Sequence, residues 1–254
     1  MKSQHVFSVP AEQFYSPSTP QTSYLLGLIW ADGYVKTLQR KSQKSPAHRI
    51  EISMLSSDIN ELTNVFNSTG KWCFSHRQRD KRKPQTSVST NNKPLVEFLE
   101  KNDFGIKTEM SADKILSKMP DKLKKYWFRG LSDGDGCFYV NEKNRQCQFS
   151  ITSSLNQDWC YVETLLKELN ITYSIQKIIR ECGQHSSIRI TSKKGVSKFG
   201  DFIYNGYEID NIGLKRKYLK YLRVKYLFQN FRQSVIPSTE FYREFDIQTD
   251  GGVL

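Results

Sequence analysis

The sequence predicts an α+β protein of two pseudo-symmetric halves, each reading α-β-β-α-β-β-α with antiparallel sheets. Three observations carry this expectation. An apolar, helix-compatible run ending in Asp-Gly occurs twice, as Leu25-Leu26-Gly27-Leu28-Ile29-Trp30-Ala31-Asp32-Gly33 and Phe128-Arg129-Gly130-Leu131-Ser132-Asp133-Gly134-Asp135-Gly136. The two aspartates lie 103 residues apart (135 − 32). Stretches of apolar–polar alternation follow each copy, and each half then reaches an apolar-Gly-apolar-Lys signature, Phe104-Gly105-Ile106-Lys107 and Ile212-Gly213-Leu214-Lys215. An internal repeat of this kind governs the whole fold.

The elements follow in order. Residues 1–22 read as an extended arm, 23–115 as the first half, 116–122 as a linker around Met119-Pro120-Asp121, 123–233 as the second half, and 234–254 as a tail. Asp121 is a candidate cap for the second motif helix. After the motifs, Tyr34-Val35-Lys36 and Cys137-Phe138-Tyr139-Val140 read as strands. Arg49 to Met54 and Gln146 to Ile151 alternate with period two, as half-buried strands do. Ser56-Ser57 and Ser153-Ser154 are positioned to cap the next helices. Those helices carry apolar stripes: Ile59, Leu62 and Phe66 in one, Trp159, Val162, Leu166 and Leu169 in the other. A second strand pair is expected near 72–80 with 85–90, and near 173–180 with 186–192.

Composition narrows the function. The 254 residues carry 38 basic against 26 acidic side chains, a net charge of +12. A phosphate backbone is the commonest partner for such an excess. No apolar run is long enough for a membrane span, and Met1 to Gln21 lacks the apolar core of a signal peptide. Five cysteines without a C-x-x-C pair, and four scattered histidines, argue against a structural zinc site or a disulfide framework. Reduced thiols in a reducing compartment are the simplest reading.

The motifs carry chemistry. Gly27 with Ala31, and Gly130 with Gly134, are four residues apart and so share a helix face. Two faces without bulky side chains let helices pack closely. That brings Asp32 and Asp135 together at the negative ends of two helix dipoles, an arrangement stability does not explain. Two converging carboxylates suit a hard divalent cation, and phosphodiester hydrolysis uses such ions.

The nonapeptides resemble the paired LAGLIDADG motifs of single-chain homing endonucleases, and the resemblance runs through both halves. It implies a DNA-binding saddle and an endonuclease using two or three divalent cations, Mg2+, shared between Asp32 and Asp135, with Ala31 and Gly134 beside them in the metal site. The family's other motif acid matches Asp133; Trp30 replaces it in the first copy. The resemblance also implies catalytic lysines near the start of the third helix, matched here by Lys107 and Lys215, at 75 and 80 residues from the motif aspartates (107 − 32 and 215 − 135). A polar residue that orients water maps near Ser56 and Ser153.

On the saddle, alternation turns Cys147, Phe149 and Ile151 inward, with Ile50, Ile52 and Met54 in the other half. The outward set expected to meet DNA is Arg49, Glu51, Ser53, Gln146, Gln148 and Ser150. Counting on from the aspartates adds Lys36, Arg40, Tyr139, Asn141, Lys143 and Arg145. The basic run from His76 to Lys83 adds Arg77, Arg79 and Lys81, and Arg189 is their counterpart. The expected partner is double-stranded DNA, bound by a monomer. The competing reading is an RNA-binding maturase of the same fold, whose partner would be its own intron RNA. An organelle, bacterium or phage would suit such a gene equally.

Overall fold

The computed structural model describes residues 9–39, 45–78, 82–180 and 183–229. The first half comprises α1 (Glu12–Tyr15), α2 (Pro20–Asp32), β1 (Gly33–Leu38), β2 (Ala47–Leu55), α3 (Ser56–Ser68), β3 (Cys73–Arg77), β4 (Gln85–Thr90) and α4 (Lys93–Lys101). A 3-10 turn (Lys107–Glu109) and α5 (Asp113–Leu116) lead across. The second half comprises α6 (Asp121–Gly134), β5 (Gly136–Asn141), β6 (Gln146–Ser153), α7 (Cys160–Glu168), β7 (Ser174–Arg180), β8 (Gly183–Ile190), α8 (Lys193–Ile203), α9 (Tyr207–Asp210) and α10 (Lys215–Gln229).

Each half builds one four-stranded antiparallel sheet, ordered β1-β2-β4-β3 and β5-β6-β8-β7. The registers match: Gly33 pairs with Ile52, and Gly136 with Ile151. Alternation sets the faces, so Ile50, Ile52, Met54, Cys147, Phe149 and Ile151 are buried against helices. Among the described residues no helix is long and apolar enough to cross a membrane, and Cys73, Cys137, Cys147 and Cys160 are free thiols.

Several local expectations change. The presumed arm holds α1 and the start of α2; Val9 and Phe14 are fully buried, and the Asn92 amide donates to the Val9 carbonyl. Thr19 caps α2, its hydroxyl accepting from the Thr22 N–H. Neither double serine caps a helix: Ser56 lies inside α3 and bonds Thr86, while Ser154 stands well ahead of α7 and donates to the Thr108 carbonyl. Asp121 is the first residue of α6 rather than its cap and pairs with Lys124 at 2.7 Å. Lys143 and Arg145 sit in the β5–β6 turn, off the strand. There Arg145 takes a positive φ of 50° and its N–H bonds the Glu142 carbonyl. Arg40, Arg79 and Lys81 lie outside the described residues.

Candidate active site at the helix crossing

The two motif helices run side by side because their facing surfaces lack side chains. A Cβ at Gly27 would strike the Trp127 carbonyl, and one at Gly130 the Tyr24 carbonyl. The same closeness delivers the acids to one point: a Cβ at Gly134 would stand 3.0 Å from the Asp32 carboxylate. Asp32 opens to solvent and Asp135 is half-buried. Burial, then the neighbouring Asp32 charge, pushes Asp135 up to about 7 against the pull of Lys107 and Lys217. Asp32 is raised too, again by burial first.

Lys107 reaches over the end of the first motif. Its Nζ donates to the carbonyls of Ile29, Ala31 and Gly33 at 3.0, 2.6 and 2.8 Å. Burial brings its pKa down to about 8, opposed by Asp135 and Asp32. On the second motif the matching cation is Lys217, whose Nζ donates to the carbonyls of Ser132 and Gly136. Lys215, the residue expected there, is exposed, and its backbone N–H bonds Glu61 at 2.8 Å. The phase of each segment is set by a residue with positive φ, Asp103 (68°) in the first half and Gly213 (122°) in the second. Each lysine stands four residues beyond (107 − 103 and 217 − 213). Matching glycine to glycine misplaces the second lysine by two. Nor does either lysine open the third helix of its half: Lys107 follows α4 in the 3-10 turn, and Lys217 lies in α10, after α8 and α9.

The donor set is oxygen: two carboxylates and the carbonyls around them. A carbonyl has two lone pairs, so Ala31 accepting from Lys107 retains one. Gly134 closes α6 beside Asp135. Among the described residues no cluster of three or more His, Cys, Asp or Glu exists. The arrangement suits a hard cation that keeps water or phosphate oxygens in its shell, and not zinc.

Asp133 has a different post. It is buried and accepts from the Tyr24 hydroxyl and the Leu214 N–H, both at 2.8 Å. Burial raises it to about 6, against those hydrogen bonds and the Lys217 and Arg129 charges. It holds the lysine-bearing segment and does not join the pair of acids. Ser153 bonds Gln157 at 2.8 Å, and both line a small cavity with Asp135 and Lys107. Ser56 faces Thr86 instead.

On the sheets, Lys36, Ser53, Arg77, Tyr139 and Gln146 are exposed, and Glu51, Asn141, Gln148, Ser150 and Arg189 are half-buried on the outward face. Arg49 pairs with Glu51 at 2.5 Å, and Arg189 donates to Ser187 at 3.0 Å. Two outward neighbours of the acids went unnoticed in sequence, Tyr34 and Cys137. The same two-residue count finds them.

Residues 122–204 match the family described as LAGLIDADG-like domain. No curated protein sequence matches the chain. Solved structures similar to it include the I-LtrWI LAGLIDADG homing endonuclease bound to target DNA, at 19% identity and TM-score 0.55, covering 89% of this chain and 95% of that one. I-SmaMI bound to uncleaved DNA target in the presence of calcium ions is similar at 16% identity and TM-score 0.54, covering 89% and 96%. The LAGLIDADG homing endonuclease I-GzeII in complex with DNA target is similar at 10% identity and TM-score 0.55, covering 89% and 95%. The chain therefore has the LAGLIDADG endonuclease fold, two pseudo-symmetric α/β halves whose sheets form a saddle.

Proposed function

We propose that the chain is a site-specific DNA endonuclease that makes a double-strand break by divalent-metal-dependent phosphodiester hydrolysis, acting as a monomer in intron homing. One observation carries the reading: two motif helices place Asp32 and Asp135 at one point between two outward-facing sheets. The shared fold and the DNA named with the similar structures support it, as does the charge of +12. An RNA-binding role draws on charge and fold alone and leaves the paired acids unexplained.

Asp32 and Asp135 would hold the cations, Mg2+ by preference, with the Ala31 and Gly134 carbonyls beside them. Bound there, a divalent ion supplies an activated water and stabilises the leaving oxygen. The protein's own part is positional and electrostatic. Tight helix packing fixes the separation of the acids. Lys107 and Lys217, anchored on the motif carbonyls, bring two cations to where the scissile phosphates gain charge. The outward sheet residues hold the duplex in register.

The test is Asp32→Asn and Asp135→Asn, measured with supercoiled plasmid carrying a selected target. Each should lose double-strand cleavage by on the order of a thousandfold and still retard the target in a gel. Full cleavage by either variant at physiological magnesium refutes the two-acid centre.

A further inference from the structure

The outward faces of the two sheets offer different chemistry to a duplex. On the first sheet Lys36 stands directly opposite Arg49, and Arg49 is paired with Glu51 along the same strand at 2.5 Å. On the second sheet Tyr139 stands opposite Gln148, and Asn141 opposite Gln146. Two ionic positions of the first half, Lys36 and Arg49, are a phenol and an amide in the second, Tyr139 and Gln148, while Ser150 is the counterpart of Glu51 and Gln146 that of Ala47. Lys36 corresponds to Tyr139, because each lies three residues beyond its motif-closing glycine (36 − 33 and 139 − 136).

The amides are also unequally committed. Asn141 is used by the β5–β6 turn: its Oδ1 accepts from the Asn144 N–H at 3.1 Å, and its Nδ2 faces the Tyr139 hydroxyl at 3.3 Å. No side-chain hydrogen bond among the described residues engages Gln146 or Gln148. The pair projects from one strand to the same side, two residues apart. That spacing is about 7 Å, two base-pair steps of a duplex.

A glutamine amide presents one donor and one acceptor in a plane, the complement of adenine N6 and N7 in the major groove. A guanidinium presents two donors, the complement of guanine O6 and N7, and a carboxylate accepts from cytosine N4. The Arg49–Glu51 pair thus offers donors and an acceptor side by side, as a G·C pair requires.

We infer that the target is compositionally lopsided: the half-site under the second sheet carries adenines facing Gln146 and Gln148, and the half-site under the first carries a G·C pair facing Arg49 and Glu51. This rests on the DNA-reading function proposed above and specifies what that function reads.

The experiment is selection of bound duplexes from a randomised library by the full chain, with calcium as the cation. The expected consensus has one A·T-rich and one G·C-containing half. Gln148→Arg and Gln146→Arg should each exchange an adenine for a guanine in the A·T-rich half alone, with preference shifting roughly tenfold to a hundredfold. Arg49→Gln should weaken guanine preference only in the other half. Halves of equal composition, or arginine variants that leave base preference unchanged or alter it in the wrong half, would overturn the inference and leave the nuclease reading intact. Failure to enrich any duplex would overturn the DNA reading, and this inference with it.

Discussion

The two halves share a plan, yet they secure the equivalent lysine-bearing segment by opposite means. Ahead of the first acid stands Trp30, packed edge-on to Phe104 with ring centroids 5.0 Å apart, and against Trp127 and Tyr161. At the same place in the second half stands Asp133, hydrogen-bonded to Tyr24 and to the Leu214 N–H. Phe104 and Leu214 are equivalent, each following the positive-φ residue. One half seats its lysine segment with apolar area, the other with a buried acid. The acid brings company: Arg129 is wholly buried, pairs with Asp210 at 2.8 Å and donates to the carbonyls of Ile203 and Ile212. A buried charge survives only when paired and hydrogen-bonded. Tandem halves are thus free to diverge wherever the shared task, presenting one acid and one lysine, is met.

The crossing of the motif helices is where divergence is forbidden, and there the largest effect is expected. Gly27→Ala and Gly130→Ala each press a methyl group into a facing carbonyl that helix hydrogen bonding holds in place. Each should cost about 3 kcal/mol or more of stability, read by chemical denaturation. A mild effect at one glycine and a severe one at the other would mean the crossing itself is asymmetric.

Next come the lysines. Lys107→Met and Lys217→Met should each slow single-turnover cleavage by about a hundredfold, the typical loss for one transition-state donor. Each should act mainly on one strand, so that nicked plasmid accumulates. Lys215→Met should cut both strands at the normal rate. If Lys215→Met slows a strand and Lys217→Met does not, the assignment by turn phase is wrong.

Much of this was legible in sequence, and what was not has physical causes. Alternation gave the inward residues of β2 and β6, because a pleated strand leaves no other pattern. The paired Asp-Gly ends and small-residue stripes gave the close approach of the two motif helices and the nearness of Asp32 and Asp135, because bulkier side chains would hold the helices apart. Lys217 was hidden because Asp103 and Gly213, chemically unlike, fill the same backbone role. Lys143 and Arg145 were misjudged because counting by two continues through a turn that the chain does not. Asp58 and Gln157 were invisible for a different reason: their partners lie in the opposite half.

Those two residues sharpen the comparison. Each lies six residues past the strand partner of the motif-closing glycine (58 − 52 and 157 − 151). Gln157 donates to the Met110 carbonyl beyond Lys107 at 2.8 Å. Asp58, buried, grips the Arg216 guanidinium beside Lys217 at 2.8 and 2.6 Å. Each half therefore braces the other's lysine segment, one through a neutral amide and one through an ion pair. Asp58→Ala should cost about 2 kcal/mol and Gln157→Ala about 1 kcal/mol, by the usual difference between charged and neutral hydrogen bonds. The strand slowed by Asp58→Ala should be the one slowed by Lys217→Met, and Gln157→Ala should follow Lys107→Met. Equal slowing of both strands by either variant would reduce the braces to general stability.

The smallest effect concerns the acids themselves, where the halves differ in burial. Asp135, more enclosed than Asp32, has a pKa pushed up to about 7 from its ordinary value of 3.8. Folding of the metal-free protein therefore favours the protonated acid. Its contribution to stability is fully present below about pH 4 and is lost as pH rises towards 7. Lys107, brought down to about 8, starts to lose its proton only at the top of this range, so the interval below about pH 7 reads the acids. A magnesium ion held by the ionised carboxylates, as proposed, would compete with that proton, so its stabilisation should grow over the same interval. Asp135→Asn should weaken both dependences, leaving the part due to Asp32 and Asp133, which burial also raises. It should raise metal-free stability at pH 7.5 by on the order of 1 kcal/mol, less than the full shift implies because the site opens to water. Asp32→Asn should gain less, since Asp32 lies nearer solvent. Melting temperatures of the three proteins between pH 5 and 7.5, with and without magnesium, decide the matter. A metal-free wild-type curve that is flat across this range, or an Asp32→Asn gain exceeding that of Asp135→Asn, would reverse the ranking of the two acids.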